Sequence, residues 1–424
     1  MHFYTNVIQH ITMYLDKKEK KLYNKNELNR GLTMKKKEIG FYIAFALMMV
    51  CLGCSDALRG VFAPIFQSHY QLNASMLSLI ITISYAGNFV FMLIGSRLSD
   101  EFGIRKVFIA SMLCWIAAMA LYVVTDSYIT LVIGVFFAMG GSTLLNMMLN
   151  IMSPILFLAP ATIVNTLFFV QGIGTTFAQG IVGRFANSIS YWKYINLGMI
   201  IMGILSLVLF ITLSKNEKGL SKSNTTNEKE KVNYKDILSN PVFYMFILIF
   251  GFYFVAEHGI MNWMNIYCQT WLHMELSKAS LMPTLFFGGI MIGRLVIAPF
   301  VTKLGIQKSL LYCLLMGTII FTITMVIGGS TLYLLILAGL GFSIVYPTMT
   351  MCIQLYFPQN IVTTASGTIL SVATLFDILF NAIFGMVIDK VGYGLGMMIL
   401  PISAILCVLF YIFMMKRYKP IRKI

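Results

Sequence analysis

Long apolar stretches alternate with short polar turns along the chain. A helix needs about 20 residues to cross roughly 30 Å of hydrocarbon, and twelve stretches are about that long. Six of them lie at 41–66, 77–97, 106–125, 129–153, 161–187 and 191–213. The other six lie at 242–266, 279–301, 309–328, 331–354, 363–388 and 392–415. This pattern predicts an all-α membrane protein with twelve transmembrane helices.

One polar segment interrupts the series in the middle. Residues 214–240 contain the run KNEKGLSKSNTTNEKEK, which is too charged to enter a bilayer and too poor in apolar residues to fold alone. We therefore predict two six-helix bundles, at 39–213 and 241–415, joined by this linker. An N-terminal extension at 1–38 and a tail at 416–424 complete the predicted organisation.

The composition is typical of a membrane protein, because 58% of the residues are hydrophobic, only 11% are charged and the mean hydropathy is +0.82. The formal net charge of +15 also occurs in nucleic-acid-binding proteins, but 25 of the 31 Lys and Arg residues lie on alternate loops. Loops that are rich in Lys and Arg stay in the cytoplasm. We therefore predict a multi-pass protein of the inner (plasma) membrane, with cytoplasmic termini and linker and no nucleic-acid partner.

The first 33 residues are charged and rich in Asn, and Met34 directly precedes the run KKKE before the first span. They lack the order of basic, apolar and cleavage regions that defines a signal peptide. Two interpretations are open: translation starts at Met34, or residues 1–33 form a cytoplasmic tail.

Charged residues inside the spans are few, and each costs roughly 2.5–3.5 kcal/mol on insertion scales. They are Asp56, Arg59, Glu257, His258, Arg294 and Asp377. Asp56 and Arg59 lie three apart and share a face of the first helix. They form either a static ion pair or a site where protonation of Asp56 alternates with pairing to Arg59, because burial and a nearby cation act on a carboxylate in opposite directions. Arg294 either binds a helix end during gating or is structural.

Polar side chains inside the spans indicate where a solute could bind. Asn146 and Asn150 lie four apart on one helical face. Asn262 and Trp263 offer an amide for hydroxyl groups beside an aromatic ring for the apolar face of a sugar. Helix packing is the alternative, since such polar groups contribute about 0.6 kcal/mol each between membrane helices. Both interpretations stay open for the Asn pair, and we favour solute binding for Asn262 with Trp263.

The loop between the second and third spans reads GSRLSDEFGIRK at positions 95–106. It resembles the signature loop of major facilitator transporters, in which a helix-end carboxylate, a turn Gly and a basic pair stabilise the closed cytoplasmic side. The resemblance assigns these gating roles to Asp100, Gly103, Arg105 and Lys106. It departs from the family pattern where a Ser replaces the first Gly, and an ordinary charged loop is the alternative.

Two further segments resemble the fucose:proton symporter group of the major facilitators. The first span reads SDALRGVFAP at 55–64, like the group's Asp with a downstream Pro. The seventh reads YFVAEHGIMNWMNIY at 253–267, which is similar to the group's spacing of Tyr, Glu, Trp and Tyr. Asn88 in the second span, and Asn165 and Gln171 in the fifth, extend the resemblance.

The resemblance implies proton-coupled symport of a sugar or similar small polar solute by alternating access. Asp56 is then the protonation site beside Arg59, and Asn88, Asn165 and Gln171 join the solute-binding residues. The group's fucose transporters carry a second acid in the fourth helix, but residues 140–146 contain none. Glu257 is the candidate to replace it.

Other classes of function remain as alternatives. An efflux antiporter or a facilitator of small organic compounds is the first, although the fifth span lacks the efflux pattern that ends in Gly-Pro. A nontransporting solute sensor is the second, although the linker and tails are short. Because HExxH, a Gly-rich phosphate loop and a nucleophile elbow are absent from the sequence, we predict no enzyme, catalytic residue, cofactor or metal. The expected partners are a solute, protons and the lipid bilayer, with the protein a monomer.

Overall fold

The computed structural model describes residues 36–158, 160–215, 217, 220, 234–297, 301, 304–358 and 361–421. Its long helices α1 to α12 are Lys36–Val61, Ala74–Phe102, Ile104–Val124, Tyr128–Leu156, Pro160–Phe177, Ile189–Ser214, Pro241–Thr270, Leu276–Val296, Ile306–Ile327, Gly329–Tyr356, Val362–Gly396 and Ile399–Arg417. The described residues form no strand. Each predicted span corresponds to one of these helices, so the prediction of an all-α membrane fold is confirmed.

Eleven of the described helices are long and apolar enough to cross a membrane. The exception, α5, has 18 residues but continues through a π-helical turn, Ala178–Val182, to a last turn that ends at Phe185. The helix α10 is also composite, because a 3-10 turn precedes two α-helical pieces within it.

The predicted ends of two spans were wrong for identifiable reasons. The first span was predicted to reach residue 66, but α1 ends at Val61 and a short helix, Ala63–His69, follows with Pro64 in its first turn. Pro lacks the N–H that a helix interior needs. The last span was predicted to start at 392, but Gly392 (φ +76°) only kinks α11, and α12 begins at Ile399.

The helices pack into two bundles, as predicted. In the N-terminal half α4 lies against α2 and α3, and α1 lies against α5 and α6; in the C-terminal half α7 lies against α11 and α12, and α10 against α8 and α9. Gly103 and Gly305 occupy the same place in the two halves and have nearly equal φ angles of +84° and +83°. The shared turn agrees with the repeated halves of transporter folds.

Among the described long helices, the two halves meet mainly where α1 contacts α7, α2 contacts α11, and α5 contacts α8. We name the end of the molecule where Lys36 and Arg417 lie the basic end, and the end where α2 begins the far end. Gly60 permits the closest approach, because a methyl group there would lie 2.0 Å from the Met261 carbonyl oxygen. Hydrogen bonds from Asn262 to Tyr85 and from the Ala74 N–H to Asp389 join the halves in the middle and at the far end. This conformation is therefore closed at the far end.

Candidate functional site

Asp56 lies in the last two turns of α1, at the interface of the two halves. Its Oδ2 accepts a hydrogen bond of 3.3 Å from the Ser142 hydroxyl of α4. Its Oδ1 is buried and has no hydrogen-bond partner among the described residues. A buried acceptor without a donor is unfavourable by about 1–3 kcal/mol. The open oxygen is therefore suited to a proton or to a donor group on a solute.

Arg59 is 4% exposed, and its guanidinium binds the backbone carbonyl of Asp56 and not the carboxylate. Its Nε and one terminal nitrogen donate to the Asp56 backbone carbonyl oxygen at 3.2 and 3.1 Å, and the other terminal nitrogen donates to the Ser84 hydroxyl. The guanidinium also lies 5.2 Å from the centre of the Tyr85 ring, within cation–π range. Neutral oxygens and a ring thus compensate this cation in place of the static ion pair that the sequence allowed.

Tyr85 of α2 connects the two halves. Its hydroxyl accepts a 3.1 Å hydrogen bond from the Asn262 amide of α7. Its ring stacks on the imidazole of His258, with the ring centres 5.5 Å apart. The side chains of α1, α2 and α7 therefore form one contact group in the middle of the protein.

His258 forms an ion pair with Asp377 of α11, with Nδ1 2.8 Å from Oδ2. Asp377 is 1% exposed, and its Oδ1 has no partner among the described residues. The Asn381 amide donates to the Asp377 carbonyl oxygen at 2.8 Å, and its side-chain oxygen accepts from the Trp263 indole at 2.9 Å. Trp263 is 0% exposed, so its ring offers no open face to a solute in this conformation.

These contacts join into one polar chain that runs from Ser142 through Asp56, Arg59, Tyr85 and His258 to the α11 helix. The sequence indicated Asp56, Arg59 and Asn262 but gave Tyr85 and Ser142 no role. It marked His258 and Asp377 only as costly charges within spans. Their pairing joins segments 119 residues apart, which no local pattern reveals.

The other predicted solute-binding residues occupy different surroundings. Asn88 accepts a hydrogen bond from the Thr143 hydroxyl, and the Asn146 side-chain oxygen is buried without a partner in the described part. Both lie one helical turn from Ser84 and Ser142, on the side towards the basic end. Asn150 is exposed and donates to the Asn146 carbonyl oxygen at 2.8 Å.

The predicted residues of α5 and the loop acid are placed as follows. Gln171 is partly buried, with its carbonyl oxygen against Gly53 of α1. The side chains of Asn165 and Asp100 lie outside the described residues. Gly103 has the positive φ that the turn requires.

The predicted gating cations remain within their own halves. The Arg105 Nε donates to the Ser214 hydroxyl at the end of α6, at 3.0 Å, and Lys106 is exposed. The Arg294 Nε donates to the Ser343 carbonyl oxygen of α10 at 3.4 Å. Glu257 lies one turn after Tyr253 on α7. Glu257 and Arg294 thus belong to the C-terminal half.

The prediction of no metal site took CxxC spacing to be absent, but two cysteines have it. Cys51 and Cys54 lie one turn apart on α1, buried and free. Among the described residues, no group of three His, Cys, Asp or Glu side chains is placed to hold a metal ion.

The sequence profile of the Major Facilitator Superfamily matches residues 45–375. The chain belongs to this superfamily. A relative in Acinetobacter baylyi, the cis,cis-muconate transport protein, is 22% identical over 389 residues, which cover 87% of this chain and 92% of the relative. This major facilitator is therefore a membrane-embedded transporter of small molecules.

Solved structures agree with the fold of this major facilitator. The D-xylose-proton symporter matches with a TM-score of 0.73 and 15% identity, covering 90% of this chain and 98% of the symporter. The nucleoside transporter NupG matches with a TM-score of 0.69 and 12% identity, covering 91% of this chain and 100% of the transporter. At such identities the likeness concerns the fold alone, and the subgroup resemblance to fucose:proton symporters stays a prediction.

Proposed function

We propose that this major facilitator is a proton-coupled symporter for a sugar or similar small polar solute. The observation that carries the proposal is a set of buried oxygen atoms that lack donors around the polar chain. They are Oδ1 of Asp56, Asn146, Asn262 and Asp377. Because each unpaired acceptor is costly when buried, such a site favours a ligand that brings several hydrogen-bond donors.

The cations nearby favour the same class of solute. Arg59 has its three nitrogens bound to the Asp56 carbonyl and the Ser84 hydroxyl, and His258 is paired with Asp377. A dicarboxylate would have to displace these partners, whereas sugar hydroxyl groups can donate to the open oxygens directly. A polyhydroxylated solute therefore fits this chain better than the muconate of its curated relative.

Asp56 supplies the proton coupling in this proposal. With Arg59 bound elsewhere, no cation contacts the Asp56 carboxylate among the described residues. A charge at the bilayer centre is costly, so protonation of Asp56 would ease the step in which the loaded site closes to both sides. The proton gradient then drives uphill solute entry as the two halves rock around the site.

We also propose the orientation that the charge distribution predicts. The basic end faces the cytoplasm, and the far end faces outward. In the present conformation the solute path would then open to the cytoplasm. Glu257 would then supply the second acid from the C-terminal half.

The test uses purified protein in proteoliposomes with an imposed pH gradient. Radiolabelled L-fucose, D-xylose, uridine and cis,cis-muconate serve as probes, and Asp56→Asn is compared with the wild type. We expect a sugar to accumulate only with the gradient, and D56N to lose at least ten-fold of that accumulation while it retains counterflow. Asp126→Asn is the matched control, because this exposed carboxylate lies at the far end, away from the site.

Three results would contradict the proposal. Accumulation by D56N at the wild-type level would exclude Asp56 as the coupling group. Transport of muconate in preference to the sugars and uridine would exclude the solute class. Flux of solute against the proton flux would favour the efflux antiporter.

A further inference from the structure

Asp389 near the end of α11 contacts the first turn of α2 across the interface of the two halves. Its Oδ1 accepts from the Ala74 N–H at 2.9 Å, and its Oδ2 accepts from the Ser75 N–H at 3.0 Å and from the Ser75 hydroxyl. The contact joins segments more than 300 residues apart in the sequence. Among the described residues, Asp389 is the only carboxylate that makes a contact between the halves at the far end.

In this contact a side chain of the C-terminal half caps the start of α2, which belongs to the N-terminal half. The first N–H groups of a helix have no partner within the helix, and together they carry a partial positive charge. Asn73 of the same half accepts only from the Met76 N–H, at 2.8 Å. The first turn of α2 is therefore fully capped only when Asp389 is docked.

The packing beside the cap requires close contact of the two helices. Gly385 lies one turn before Asp389, and a methyl group there would lie 2.4 Å from the Ser78 Cβ and 2.5 Å from the Ala74 carbonyl oxygen. The Gly385 N–H also donates to the Ser78 hydroxyl at 3.3 Å. A relative movement of α2 and α11 would break the cap and this packing together.

We propose that Asp389 is a gating residue that holds the far end shut. Its carboxylate caps α2 in the closed state and leaves the helix when the solute path opens at the far end. Opening there leaves two backbone N–H groups to water, so the docked carboxylate biases the protein towards the far-closed state. The inference requires alternating access by the two halves but neither proton coupling nor a particular solute.

A second acid at the far end keeps its contacts within one half. Asp126 contacts His69, Tyr70 and Lys193, which all belong to the N-terminal half. Asp126 is therefore a matched control for Asp389, since it is an exposed carboxylate at the same end whose contacts stay within one half.

The experiment measures the far-end opening with spin labels on the full chain in nanodiscs. The labels sit on Val124→Cys and Ile327→Cys, at the exposed far ends of α3 and α9 in opposite halves. Cys114 and Cys313, which are partly exposed, are replaced by Ser. Double electron–electron resonance then gives the ratio of far-open to far-closed populations without any solute or pH gradient.

We expect Asp389→Asn to raise the far-open to far-closed ratio at least three-fold, because the NH2 group that replaces one carboxylate oxygen cannot accept a hydrogen bond from a backbone N–H. Ser75→Ala removes one bond and should raise the ratio less. Gly385→Val should raise it sterically, and Asp389→Glu should restore part of the closed population. Asp126→Asn should leave the distribution unchanged.

An unchanged distribution in D389N would overturn the inference. Opening in G385V without opening in D389N would also overturn it, because packing alone would then hold the far end. If D389N does not fold, the inference is decided by S75A, in which an unchanged ratio counts against it. Failure of the proton-coupling test leaves this measurement unaffected.

Discussion

At the scale of single residues, the charges buried in this transporter differ in how they are compensated. Arg59 is bound by a carbonyl oxygen, a hydroxyl and an aromatic ring, whereas Asp377 is paired with His258. Asp56 keeps one oxygen unpaired among the described residues. A carboxylate that binds a proton reversibly needs an oxygen that is free to accept the proton. If both oxygens accepted hydrogen bonds, the charged form would be stabilised and protonation would be disfavoured.

Asp126 at the far end provides a prediction about pH. Burial acts to raise the pKa of this carboxyl, but hydrogen bonds from His69, Lys193 and Tyr70 outweigh it and hold the pKa below its ordinary value. Because the pKa of Asp126 is lower in the folded state, its contacts stabilise the protein fully above the unfolded pKa, near pH 4. This stabilisation is lost as the pH falls through the folded pKa.

We therefore expect Asp126→Asn to lower the melting temperature slightly at pH 7, and the difference from wild type to shrink as the pH falls from about 4 through the lower folded pKa. Differential scanning fluorimetry in detergent at several pH values measures this. Lys278→Gln is the control, because this far-end side chain has no part in the Asp126 group. A difference that does not shrink as the pH falls below about 4 would show that the Asn variant disturbs packing and not the charged contacts.

At the scale of helices, close approach depends on particular glycines. Gly60 lies where α1 meets α7, and the Asn265 amide donates to the neighbouring Val61 carbonyl oxygen at 2.8 Å. The backbone there has no room for a side chain. Gly198 on α6 is the opposite case, because a methyl group added to it would have no described atom of another residue within 4 Å.

We expect Gly60→Ala to destabilise the protein by about 1–3 kcal/mol, because overpacking against backbone atoms forces the helices apart. Thermal unfolding in detergent measures the effect. Gly198→Ala should be neutral or slightly stabilising, since Ala has the higher helix propensity. Equal melting temperatures for the two variants would mean that α1 and α7 adjust without cost.

The twelve helices could be predicted from the sequence because each must cross the same hydrocarbon thickness. Helix ends at Pro64 and Gly392 were placed less well, since apolar composition continues through both turns. Asp56 and Arg59 were predicted as neighbours from helical spacing alone. The pairs His258 with Asp377 and Asp389 with Ser75 were not, because each joins distant segments that only the packing of helices brings together.

At the scale of the whole molecule, the distribution of contacts between halves predicts which side a reagent can enter. Hydrogen bonds join the two halves in the middle of the protein and at the far end. Asn150 of α4 is exposed on the side towards the basic end, whereas Ser78 of α2 is 1% exposed against Gly385. A membrane-impermeant maleimide should therefore reach these two positions differently.

With the basic end in the cytoplasm, as proposed, we expect Asn150→Cys to react in inside-out vesicles at least ten-fold faster than in intact cells, because this exposed position lies towards the basic end. Ser78→Cys should react slowly in both, since the α2 and α11 contact covers it. Glu275→Cys, exposed before α8 at the far end, is the control that should react in intact cells. Adding Asp389→Asn should speed the reaction of S78C from outside, which links the buried contact to the movement of the halves. Rapid labelling of S78C in the parent chain would mean that the far end is already open in the membrane.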